Sequence, residues 1–222
     1  MKTAGMHRMM NYFVRQTELY VLTAAAGSLA MAVFIWLMNA DGSGLQEMFS
    51  YMPSGVMYMS LVILFGCGMS SNQYSILIAF SCRRIDAFTG TLAGNLLFIA
   101  QCMILYGCSL LGLQKGDFYV NAWTILAVCL ILEGTSKLLG IIAVRWGKVA
   151  YILLTVIIVI ISMFFGFWAG YAGYSGKTAI KIPFAAVIGG ELKWQILAGG
   201  ILTCVLTNLA AYRMLRKFEV KA

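Results

Sequence analysis

From Met48 to Cys82 the chain runs for 35 residues without one charged side chain. A soluble fold could cover so long an apolar stretch only by surrounding it with a large polar shell, which this chain lacks. A membrane offers the alternative, since a hydrocarbon core about 30 Å thick is crossed by roughly 20 helical residues. Read for such crossings, the sequence holds six apolar runs: about Tyr20 to Met38, Ser54 to Met69, Phe88 to Leu111, Ala122 to Val144, Val149 to Gly170 and Trp194 to Tyr212. The composition agrees, with 61% hydrophobic and 11% charged residues among 222 and a mean hydropathy of +0.86. An ordinary globular domain carries about 45–50% apolar residues. A β-barrel would alternate apolar and polar residues, whereas Tyr151 to Met163 is apolar at nearly every position, so the expected fold is all-α, a single polytopic domain over 1–222.

The charges orient the spans. With the N-terminus inside, twelve of the sixteen basic residues lie on the inner side, and only Lys115, Lys177, Lys181 and Lys193 lie outside. Basic residues near span ends resist translocation, so both termini are expected in the cytoplasm of a multi-pass cell-membrane protein. The acids divide evenly, four to a side, which puts the net charge of +8 on the cytoplasmic face. That excess points to the anionic lipid leaflet rather than to nucleic acid. Trp36, Trp123, Trp168 and Trp194 fall near outer span ends, where amphipathic rings suit the headgroup layer. The first apolar run is longer than a signal-peptide core and no clear cleavage site follows it, so it is expected to remain as a span.

Between the spans, the charge-free stretch from Met48 to Cys82 is too long for one crossing. Ser70 to Tyr74 are polar, Ile76 to Phe80 turn apolar again, and Arg83, Arg84 and Asp86 follow. This pattern predicts a short helix lying on the inner surface over about 70–87. A similar surface helix is expected before span one, where Met9, Met10, Phe13 and Val14 share a face. Gly90 with Gly94, and Gly166 with Gly170, are small pairs at the spacing that lets helix backbones approach.

Chemical motifs are few. The single histidine, His7, sits in the N-terminal tail, which excludes a histidine-ligated metal or haem within the bundle. The six cysteines form no CxxC pair and read as small apolar residues, with no metal site expected. Gly176, Lys177 and Thr178 end a segment like a phosphate-binding loop, but Tyr171 stands where its first glycine belongs and no strand precedes it. No catalytic residue or cofactor is therefore assigned to this chain. Glu133 and Lys137 are the only charges well inside a span. At a helix centre each costs about 2.5–3.5 kcal/mol, and their spacing of four lets them pair on one face. Two readings stay open: a pair that neutralises itself against other helices, or a polar lining for a transport route or a subunit contact.

The segment Ala79-Phe80-Ser81-Cys82-Arg83-Arg84-Ile85-Asp86-Ala87-Phe88-Thr89-Gly90 resembles the stretch after the second span in permease subunits of type II ATP-binding cassette exporters. There a small residue, a basic pair, an aromatic and a glycine form the coupling helix that docks on a separate ATPase. Arg83 and Arg84 match the basic pair, Phe88 the aromatic and Gly90 the glycine, while Ser81 stands where those permeases commonly carry glycine. The plan of six spans with cytoplasmic termini is similar too. The resemblance implies that Arg83, Arg84, Asp86 and Phe88 couple to ATPase subunits, which bind ATP and Mg. It also implies a second permease chain, in a homo- or heterodimer, and export of an amphipathic or antimicrobial peptide or other apolar cargo. As surface anchors alone, Arg83 and Arg84 would need no such role. The alternatives are the substrate-binding membrane subunit of a vitamin importer, which needs polar groups converging near the outer face, and an accessory membrane protein without transport activity. A lipid-modifying enzyme would need clustered acids or histidines, and the eight acids are dispersed.

Overall fold

The computed structural model describes residues 2–38, 48–49, 51–69, 84–112, 120–143 and 192–216, with residues 146, 149, 152 and 156. Among them every regular element is helical: α1 Lys2–Met38, α2 Met52–Met69, α3 Arg84–Ser109, α4 Ala122–Ala143 and α5 Lys193–Arg216. Four of these, α1 over Asn11–Met38 and the whole of α4 and α5 with Ile85–Ser109 of α3, are long and apolar enough to cross a membrane. Helix α2 is shorter at 18 residues, about 27 Å. In hydrocarbon an unpaired backbone N–H or C=O costs several kcal/mol, so a helix, which pairs them internally, is the available solution. The hydroxyls obey the same rule: Ser28, Ser60, Thr91 and Thr207 donate to carbonyls three or four residues earlier in their own helices.

Two boundaries differ from expectation. No separate surface helix precedes span one, because residues 2–38 form one continuous helix; the stretch has no proline and is rich in good helix formers, so nothing breaks it. Helix α3 begins at Arg84, so the last residues assigned to the surface segment, Asp86 and Ala87 among them, belong to the first turn of a membrane helix. The acid in that turn faces the positive end of the helix dipole. Residues 70–83, with the rest of the expected surface helix, lie outside the described residues, as does most of the span expected at 149–170.

The contacts give each helix a direction. Gly27 of α1 lies against Met59 of α2, and Ser28 against Gly55, so α1 and α2 are antiparallel. Phe13 meets Gly94, and the Tyr20 ring meets Phe98 at 6.2 Å, so α1 and α3 run parallel. A short 3-10 turn, Leu110–Gly112, ends α3. The Tyr106 hydroxyl then donates to the Val120 carbonyl at 2.6 Å and Asn121 caps α4 by accepting from the Trp123 N–H at 2.9 Å. Helices α3 and α4 are thus an antiparallel pair. In α4 and α5 the contacts advance together, Trp123 with Trp194, Ala127 with Gly200 and Gly134 with Cys204, so this pair is parallel.

Helix α4 is the most enclosed of the four long apolar helices. One core joins Val56 and Leu64 of α2, Phe98, Ile99 and Tyr106 of α3, and Ile125 and Cys129 of α4. A second, at the end carrying Arg213 and Arg216, joins Phe88, Ile141, Ala211 and Leu215. Close approach needs small residues here. A Cβ on Gly200 would stand 3.0 Å from the Ala127 Cα, and one on Gly134 would stand 3.2 Å from the Cys204 Cα.

Candidate functional site

Between the two cores lies a buried polar cluster built on α4. Glu133 and Lys137, one turn apart on the same face, form an ion pair and are 0% and 1% exposed. Lys137 donates to Glu133 Oε1, and Asn95 of α3 reaches the same oxygen at 3.5 Å. The other oxygen, Oε2, accepts from Asn208 Nδ2 at 2.6 Å and from Cys204 Sγ at 3.4 Å, both on α5. Asn208 also returns an acceptor, its Oδ1 lying 3.1 Å from Lys137 Nζ. The three side chains Glu133, Lys137 and Asn208 therefore close a hydrogen-bonded ring across α4 and α5, with Asn95 tying in α3.

The lysine has one further neighbour. Its ammonium sits 5.2 Å from the centroid of the Phe88 ring, within cation–π range, and that ring lies 5.5 Å from Tyr212 of α5. In a medium without water this arrangement offsets the desolvation of both ions, because every charged oxygen and the ammonium have partners. Gly68 of α2 closes the other side, where an added Cβ would stand 2.9 Å from the Lys137 backbone nitrogen. The chemistry this permits is cohesion: a closed set of charge-assisted bonds that holds three helices at a fixed register.

The residues singled out by the sequence divide as follows. Glu133, Lys137 and Phe88 come together in the cluster, and Asp86 lies two residues before Phe88 in the first turn of α3. Arg84 opens α3, four residues before Phe88 on the same helix. Arg83 lies outside the described residues. Asn95, Cys204 and Asn208 are additions that sequence reasoning does not supply. The available signal was an asparagine in the middle of each of two apolar runs, as costly to strand in hydrocarbon as it is easy to overlook in a search for charges. Among the described residues no three histidine, cysteine, aspartate or glutamate side chains gather as a metal site.

Compared with protein-family models, with curated proteins and with solved structures, the chain matches none.

Proposed function

We propose that this chain is the membrane-spanning permease subunit of an ATP-driven exporter, one half of a dimeric pathway in the cell membrane that works with separate ATPase subunits. The observation that carries the reading is the position of Phe88. This aromatic belongs to the segment that resembles the coupling region of type II permeases, and it packs on both Lys137 and Tyr212. A push delivered near Arg83 and Arg84 would reach the buried ion pair and α5 within one turn of helix. Helix α3 has 26 residues without proline, about 39 Å, and is suited to moving as a rigid body.

The helix directions support a chain of six crossings. The parallel pair α1 and α3 has α2 returning between them. Helices α4 and α5 are also parallel, so the chain joining them has to return to the opposite end of the bundle. The apolar run from Val149 to Gly170 has the length for that return. On this reading both termini and the Arg213–Arg216 end face the cytoplasm. The cargo is an amphipathic peptide or another apolar molecule, and ATP and Mg act in the partner subunits.

The test is affinity purification of the tagged full chain from its native membrane in mild detergent. An ATPase subunit recovered in stoichiometric amount, and lost when Arg83 and Arg84 are both replaced by alanine, is the expected result. A chain that carries no nucleotide-binding partner overturns the proposal.

A further inference from the structure

Helices α3 and α5 touch at Phe88 and Tyr212 but leave a groove of about 470 Å³ between them. Ile85, Leu92 and Leu96 line one wall and Val205, Leu209 and Tyr212 the other. Both sets recur at helical spacing, so each is one continuous stripe of its helix. The stripe from Ile85 to Leu96 rises about 16 Å, close to half of a hydrocarbon core about 30 Å thick. The groove therefore begins at the end of the bundle that carries Arg213 and Arg216 and reaches the depth of one leaflet.

Its polar atoms are already engaged. The Thr89 hydroxyl donates to Ile85 and Asp86 carbonyls in its own helix. Cys204 and Asn208 line the floor but direct their polar groups to Glu133 and Lys137. What the groove presents is hydrocarbon, which suits an alkyl chain and offers nothing to a hydrogen-bonding cargo. The mouth is cationic. Arg213 follows Leu209 by four residues and Arg216, which also has an interaction of its own, follows Tyr212 by four, so two exposed cations continue the same face of α5 beyond the apolar stripe. Asp86, the acid of the first turn of α3, lies outside the lining.

We infer that the α3–α5 groove is a binding site for one acyl chain of an anionic phospholipid, drawn from the leaflet at the arginine end, with the headgroup phosphate on Arg213 and Arg216. Length, lining and charge all match that ligand: an apolar slot one leaflet deep that ends beside two cations, which attract an anionic headgroup. The site stands on the membrane placement of the helices and not on any ATPase partner.

The test is native mass spectrometry of the purified full chain after exchange with vesicles of equal parts phosphatidylglycerol and phosphatidylcholine. The wild-type chain is expected to retain one phosphatidylglycerol in preference to phosphatidylcholine. Replacing both arginines, R213Q with R216Q, should weaken phosphatidylglycerol retention about 30-fold, each cation near an anionic headgroup contributing about fivefold, and weaken phosphatidylcholine much less, because its choline cation already offsets the phosphate charge. Leu209→Trp, at a side chain 52% exposed, fills the groove and should remove both lipids; Leu92→Trp repeats this from the other wall. Wild-type retention in the arginine variant overturns the headgroup assignment. Wild-type retention in a thermally stable Leu209→Trp or Leu92→Trp chain overturns the groove as the site, the result expected if another helix or a second copy fills it.

Discussion

Lys137 is held by three kinds of partner at once: a carboxylate, an amide oxygen and an aromatic face. Removing it would leave Glu133, 0% exposed, as an uncompensated charge. Lys137→Met is therefore expected to destabilise the chain by about 3–5 kcal/mol, measured as a fall in unfolding midpoint in detergent. The double variant Glu133→Gln with Lys137→Met removes both charges and keeps a group that can bond Asn208, so it should recover most of that loss. If the double variant is no more stable than the single one, the pair is not self-neutralising. The pairing of Glu133 and Lys137 was legible as a spacing of four in an uncharged run. Asn208 was not, because its value depends on meeting residues 71 and 75 positions away, and no local pattern encodes that meeting.

Between helices, small residues decide who can approach whom. Gly134 and Gly200 stand where α4 and α5 come closest, while Gly107 and Gly199 have nothing within 4 Å of an added Cβ. Gly134→Val should overpack the seam and cost about 1–3 kcal/mol, with separation of the Glu133–Asn208 contact. Gly107→Ala, in the last turn of α3, should instead stabilise slightly, by about 0.5 kcal/mol, through helix propensity. Thermal unfolding of both variants beside the parent chain checks the contrast, and equal effects would remove the argument for a tight seam. The sequence singled out Gly94, which does pack on Phe13, by its pairing with Gly90. It passed over Gly134 and Gly200, which have no glycine partner four residues away and function against Cys204 and Ala127 on another helix.

The directions of the helices set the plan of the molecule. With α4 and α5 parallel, residues at 148 and 177 are expected on opposite sides of the membrane. In a chain whose six cysteines are replaced, Lys177→Cys and Lys115→Cys should react with an impermeant maleimide on intact cells, and Lys148→Cys only after permeabilisation. Labelling of 148 and 177 from the same side would sink the plan of six crossings. Hydropathy made the membrane class and the helical content readable in the residues themselves, because transfer from water is a sum over neighbouring side chains and needs no knowledge of the fold. The apolar stretches of α1 and α3, Asn11–Met38 and Ile85–Ser109, overlap the runs read from the sequence, though α1 becomes apolar earlier than expected. Tertiary structure alone decided that α4 is enclosed, that α5 runs alongside it in the same direction, and that Asn95, Cys204 and Asn208 converge on one carboxylate. Those outcomes rest on steric fit and hydrogen-bond geometry between segments far apart in the chain, which are properties of pairs of surfaces and not of any stretch of residues.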